Sequence, residues 1–236
     1  MALLGEGVLA IWNGIAPTAV PGEAEADFVA WHVREHIPER VGLPGFLRGR
    51  RYSALDGDPA YFNFYETATP AVLTSPDYVA RLNDPTPWTR RVVAQFRDTS
   101  RTVCDVAASI GRGEGGVIET IRLRPSSDPA SFAERLQDKV LRPLGEAAGI
   151  VGVHLLRGRP DSAGGTAEKK LRAQPDEIVD WILLVEAVAA EAILAARTGA
   201  GATAMLERHG VAPGCRRGLY LLQFALTHDA AGGGAR

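Results

Sequence analysis

The sequence predicts an α+β protein in which one βαββαβ unit occurs twice and the two sheets pack on each other as a barrel within one chain. Three observations lead there. Apolar runs with the two-residue alternation of strands flank stretches with the spacing of amphipathic helices, in the order β-α-β-β-α-β. The same order begins again after a glycine-rich break, GRGEGG, at 111–116. Markers in the two halves correspond: Phe28 with Phe132, Gly45 with Gly149, Glu66 with Glu186.

The first strand is GVLAIWNGI, apolar and bounded by glycine. A helical pattern starts at Asp27, with Phe28, Trp31 and Glu35 on one spacing and Ala30, Val33 and Ile37 on another, and Pro38 ends it or sits in its last turn. The loop VGLPGF leads to a strand, FLRGRRYSA. The DGDP reversal and the aromatic strand AYFNFYETA follow. PAVLTSPDYVARLN is helical with a break at Pro76, WTRRVVAQF is a second short helix, and TSRTVCDVAASI closes the half as a strand. In the second half, GVIETIRLRP is a strand. DPASFAERLQDKVLRPLGEAAG is a helix with Asp128 as N-cap before Pro129. The strand IVGVHLLRG is followed by a long polar loop, PDSAGGTAEKKLRAQPDE, expected to be mobile. Then come the strand VDWILLVEA, a helical region from 189 to 210, and the strand RRGLYLLQFAL.

Each unit has the split βαβ, or ferredoxin-like, order. Helices cover one face of such a sheet, and the other face must be buried too, so the second sheet is its natural cover. The expected organisation is a first repeat at 1–110 that carries the site, a hinge at 111–116, a second repeat at 117–227 and a disordered tail at 228–236.

Composition removes several classes of function. The 236 residues are 46% hydrophobic and 23% charged, ordinary for a folded protein. A net charge of −2 gives no electrostatic reason to expect nucleic acid or an anionic membrane as partner. Two distant cysteines, Cys104 and Cys215, form no disulfide framework and indicate a reducing compartment. No run reaches the roughly 18 apolar residues of a membrane span, and the start MALLGEGVLAIW lacks a signal-peptide pattern, so a cytoplasmic location is expected. The expected partner is a small-molecule ligand, and the expected state a monomer or homodimer. No GxGxxG follows a strand, no Walker loop is present, and no G-x-S-x-G elbow occurs, so the expected site works without a cofactor.

The chemistry concentrates in AWHVREHIPERVGLPGF, residues 30–46. His32 and His36 lie about one helical turn apart and point the same way. HVREH is literally H-x-x-E-H, the zinc signature of inverzincins, with Glu114 a distant third candidate ligand. A helix stopping near Pro38 argues against that site. The remaining readings are a solvated or backbone-bonded histidine pair at a helix end, and a pocket histidine acting as acid, base or donor. A comparison with the second half supports the pocket reading. At the matching positions it carries Leu136 and Val140, so folding does not require the histidines.

The stretch WHVREHIPERVGLPGFLRGRRY, followed by YFNFYE, resembles the dimeric α+β barrel superfamily, in particular its EthD-like members. The matching residues are Trp31, Glu35, His36, Pro38, Pro44, Gly45, Phe46, Arg51 and Tyr52. The likeness is sharp over 28–66 and architectural elsewhere. It implies a barrel usually made by two chains, here by one. It also implies a range of chemistry: cofactor-free monooxygenases, polyketide cyclases, lactone isomerases and haem-binding proteins. His36 occupies the resembling position.

The expected site therefore has His36 and His32 moving a proton, with Asn63 and Tyr65, on one face of their strand, holding developing charge on an oxygen. Trp31, Asn13, Arg48 and Arg50 are the expected substrate contacts, the arginines pointing into the barrel toward a carboxylate or enolate. The expected function is acid–base chemistry on an apolar or aromatic carbonyl compound inside the barrel: isomerase, cyclase, lyase or cofactor-free oxygenase. The alternatives are a non-catalytic ligand-binding or scaffold protein of the same fold, and a haem- or metal-binding barrel using His32, His36 or His154.

Overall fold

Side-chain alternation along the strands decides what fills this molecule. The computed structural model describes residues 3–126, 129–160, 165–172 and 175–232. The first half contributes β1 (Gly7–Ile15), β2 (Phe46–Asp56), β3 (Tyr61–Thr67) and β4 (Phe96–Gly111). The second contributes β5 (Val117–Leu123), β6 (Ile150–Gly158), β7 (Trp181–Ala187) and β8 (Arg216–Thr227). All eight close into one antiparallel barrel, in the order β1-β3-β2-β8-β5-β7-β6-β4. The halves do more than pack face to face. They are hydrogen-bonded at two seams, β2 to β8 and β4 to β6.

One set of alternating residues turns into the barrel. Val8, Ala10 and Trp12 meet Phe62, Phe64 and Tyr52 from the first half, and Ile118, Leu156, Ile182, Leu184 and Tyr220 from the second. Where apolar residues give out, charge takes over. Arg50 is fully buried and pairs with Glu66 at 3.1 Å and Glu186 at 2.9 Å, one carboxylate from each half. Arg48 pairs with Glu66 and with Glu114 of the 111–116 segment. His154 Nε2 lies 3.3 Å from Glu186. Burial alone would raise the Glu186 pKa, but His154, the Arg50 charge and the Gly115 N–H hold it at about 2. The barrel is thus filled by side chains. The expected substrate space inside it is corrected, and Arg48 and Arg50 are already matched by carboxylates of this chain.

The opposite face of each sheet carries helices. In the first half a helix runs through Glu23–Trp31, a π-turn at His32–His36 and Ile37–Val41. It starts earlier than the expected Asp27, directly after Gly22 in left-handed conformation (φ 79°). It passes Pro38 and stops at Gly42. In the second half Pro129–Leu136, a π-turn at Gln137–Leu141 and Arg142–Gly145 repeat the plan. In both, the residue before the proline donates its N–H five residues back: Ile37 to His32 and Arg142 to Gln137. Prolines lack an N–H and crowd the preceding turn, so widening one turn absorbs Pro38 and Pro143. Since both halves share it, the π-turn belongs to the fold.

Two further expectations change. His228–Gly232 is helical where a disordered tail was expected, and His228 Nδ1 lies 2.7 Å from the Val41 carbonyl oxygen. Within the polar loop of the second half, Ala167–Lys170 forms a short helix seated on the first half. The remainder of that tail, the remainder of that loop at 161–164 and 173–174, and Asp128 as N-cap lie outside the described residues. No helix among the described residues is long and apolar enough to cross a membrane.

Candidate active site

The helix of the first half lays three polar side chains at four-residue spacing, His32, His36 and Arg40, against the outer face of its sheet. All three are buried. At the matching places the second half buries Leu136, Val140 and Leu144 in a continuous apolar cluster.

His32 is fully engaged. Arg51, on the helix-facing side of β2, lies with Nη1 3.3 Å from His32 Nδ1, and Tyr65 Oη lies 3.2 Å from His32 Nε2. A guanidinium only donates, so Nδ1 accepts and the neutral ring carries its proton on Nε2. That proton goes to the Tyr65 oxygen, which leaves the phenol hydrogen free for another acceptor. Burial, then the Arg51 and Arg40 charges, hold the His32 pKa well below its usual value. Burial pushes the Tyr65 phenol up, so it stays protonated and acts as a donor. Arg51 itself stacks on Phe28 and Tyr61, at 4.5 and 4.7 Å from their centroids, and burial lowers its pKa to about 10.

His36 is the opposite case. Its Nδ1 is buried without a partner, and no described residue hydrogen-bonds the ring. Trp31 packs on it at 4.3 Å between centroids. Burial first, then the charges of Arg40, His32 and Arg172, depress its pKa, so it is a neutral imidazole at pH 7. It lines a small, partly open pocket of about 30 Å³, enough for a water or two. Trp31, Phe46, Tyr65, Tyr78 and Phe96 give that pocket aromatic walls. Arg40 and Arg101 lie beside them, and Glu168 and Arg172 from the second half close it. A wider depression of about 670 Å³ at the β4–β6 seam presents Asp105 and Arg157, already paired at 3.2 Å.

The expected site residues divide cleanly. His36, Tyr65 and Trp31 line one pocket, with His32 directly behind Tyr65. Asn63 and Asn13 share the outer sheet face but bond each other at 2.9 Å and do not line it. Arg48 and Arg50 lie on the far side of the sheet, in the barrel. Sequence reasoning missed Arg40, hidden by ending the helix at Pro38; the spacing His32, His36, Arg40 was there to be read. It also missed Glu168 and Arg172, for which a polar loop in the other half gave no signal.

The metal and haem alternatives find no fit in this geometry. Among the described residues no three ligating side chains converge, and Glu114 pairs with Arg48 instead. His32 has both nitrogens occupied, and His154 sits in the barrel between Ser109 and Glu186. The space beside His36, about 30 Å³ with the Ala167–Lys170 helix seated, is far smaller than a macrocycle.

A closed eight-stranded barrel with helices outside and a four-strand unit from each half defines the class. Here one chain supplies both units and closes the whole barrel. No family model and no curated protein matches the sequence. Among solved structures it is similar to an anthrone oxidase-like protein, at 13% identity and TM-score 0.63, covering 97% of this chain and 96% of that one. A candidate monooxygenase from Fusobacterium nucleatum subsp. nucleatum follows at 11% identity and TM-score 0.57, covering 95% and 96%. A candidate chlorite dismutase has 11% identity and TM-score 0.52, covering 97% and 99%. At such identities the likeness establishes the fold.

Proposed function

We propose that the pocket between the first sheet and its helix performs acid–base chemistry on an aromatic or apolar carbonyl compound. His36 takes a proton from an acidic C–H or O–H. The electron pair stays on the substrate as an enolate or phenolate, and its oxygen receives the Tyr65 hydrogen bond. His32 and Arg51 position Tyr65 by fixing which hydrogen it has to give. Arg40, one turn along the helix from His36, disfavours a free imidazolium and favours the substrate anion. The proton transfer is therefore coupled to having substrate in place. Isomerisation, cyclisation, elimination and cofactor-free oxygenation all begin at such an anion. The fold shared with an anthrone oxidase-like protein and a candidate monooxygenase supports the last of these.

The observation that carries the reading is a buried His36 ring that lines an aromatic-walled pocket and has no hydrogen-bond partner on its Nδ1. Buried polar groups without partners are uncommon and costly, and one retained at a single site of a duplicated fold points to use. The test is deuterium exchange at the acidic carbon of anthrone and of an anthronecarboxylic acid in anaerobic D₂O, followed by NMR. His36→Ala should lower the exchange rate by about 10²–10⁴-fold while moving Tm by only a few degrees. Exchange unchanged by His36→Ala rules the reading out. A wild-type rate no faster than buffer assigns the protein to the non-catalytic carriers of this fold.

A further inference from the structure

The charged side chains lining the His36 pocket are unbalanced. Arg40, Arg101 and Arg172 line it, and Glu168 is the one acidic residue among the lining. Arg172 is turned toward Asp176, at 2.7 Å, and its Nε is buried with no partner. Arg101 bonds the Tyr78 hydroxyl. Arg40 is 3% exposed and Glu168 8%, and they pair at 2.5 Å, with Glu39 touching the same guanidinium from its rim at 3.1 Å. Glu168 does not come from the sheet or helix that make the pocket. It rides on the one-turn helix Ala167–Lys170, a strap from the second half. The strap's attachments include Ala167 N–H to Asn83 Oδ1 at 3.0 Å, Leu171 on the cluster of Phe28, Trp31, Val92 and Val93, and the Arg40–Glu168 pair. The last of these enters the pocket.

Resting on the acid–base reading of the same site, we propose that Glu168 occupies the place of a ligand carboxylate, and that the substrates are aromatic carbonyl compounds bearing an acidic group that pairs with Arg40. A buried guanidinium without an anion is strongly unfavourable, so an empty pocket needs a stand-in. A ligand carboxylate on Arg40 displaces Glu168 and releases the strap, and a pocket that now holds only a water or two opens to admit the aromatic body. Arg40 and His36 are four apart on one helix, with Cβ atoms about 5–6 Å from each other. The anchored acid thus sets which carbon reaches the imidazole. At the place matching Arg40 the second half has Leu144, which offers an anion nothing.

The test is calorimetric titration with sodium benzoate, and with benzamide as its neutral counterpart. Neither has an acidic C–H, so the result does not depend on turnover. Glu168→Ala leaves a carboxylate-sized gap on Arg40 and should bind benzoate at least tenfold more tightly than wild type, with benzamide affinity unchanged. Arg40→Met/Glu168→Ala should lose the preference for benzoate. Saturating benzoate should speed amide exchange across 165–172 of the wild type at least fivefold. Benzoate affinity equal in wild type and Glu168→Ala, undetectable binding in both included, overturns the proposal. So does a preference that survives in the double variant, or a strap whose protection benzoate leaves unchanged. If Glu168→Ala does not fold, Glu168→Gln removes the charge with the shape kept and decides the same comparison. A benzoate preference without His36-dependent exchange of the anthronecarboxylic acid would keep the anion site and discard the acid–base chemistry. The converse would discard only Glu168 as stand-in.

Discussion

In the first half the long helix presses His32, His36 and Arg40 onto its sheet; in the second, the same places hold Leu136, Val140 and Leu144. The backbone plan is shared down to the proline and its π-turn. The apolar trio shows what the fold itself asks of these positions: volume without polar atoms. The polar trio adds two imidazoles and a guanidinium to a buried layer, and each needs a partner there. Arg51 and Tyr65 serve His32, and Glu168 serves Arg40. His36 Nδ1 has none. The halves therefore differ in what they give up for stability, and the first half gives up more.

The comparison breaks most sharply where the halves stop being separable. Arg50 reaches from the first half to carboxylates of both. Arg50→Met would take from buried Glu186 its guanidinium partner and from Glu66 one of its two arginines, a loss of about 3–5 kcal/mol. Urea unfolding should then show one transition at lower midpoint, because the barrel is closed through both seams. Two separated transitions would mean that the repeats fold independently.

Exchanging residues between the halves sharpens the contrast at the helix. His32→Leu writes the second half into the first and removes a partner from both Arg51 and Tyr65. It should cost about 1–3 kcal/mol. His36→Leu makes the same exchange four residues on and removes an imidazole whose Nδ1 has no partner. It should be neutral or stabilising by up to about 1 kcal/mol while abolishing anthrone exchange. Urea midpoints of the two variants check the opposite signs. If both are equally destabilising, the imidazoles are equivalent and the division into a positioning histidine and a reacting one fails.

The order of strands and helices was legible because period-two and helical apolar patterns repeat across GRGEGG, and because strand pairing has to bury whichever sheet face the helices leave bare. The closure into one barrel was legible only as packing; the β2–β8 and β4–β6 seams depend on long bent strands whose pairing is non-local. The site was half legible. Helix spacing put His32 with His36, and strand alternation put Tyr65 on the same side as Asn63. Which side of the sheet held the pocket was not legible, since Arg50 and Arg51 are equally polar neighbours and only the pairing of Arg50 with Glu66 and Glu186 shows that it belongs inside. Glu168 reaches the pocket through a tertiary contact far along the chain, which no local pattern encodes.

The smallest effect is also the most direct reading of burial. Both imidazoles titrate well below their usual 6.5, burial being the first cause in each. In the unfolded chain they titrate near that usual value. Below about pH 6.5 the unfolded state takes up protons that the folded state refuses. The stabilisation is therefore fully present above that pH and is lost as pH falls toward the depressed folded values. Each histidine contributes a slope of about 1.4 kcal/mol per pH unit across that window, and the pair about twice as much. Glu186, held at about 2, acts the same way but in a separate, more acid window between the ordinary carboxylate range and that value. Urea unfolding at a series of pH values from 7.5 to 5 isolates the histidines. His36→Leu should remove half of their slope. Val140→His, which writes an imidazole into the apolar cluster of the second half, should restore a slope of that size without restoring anthrone exchange. A slope untouched by His36→Leu would mean that the ring is solvated, and the pocket could then no longer be distinguished from its apolar counterpart by what it buries.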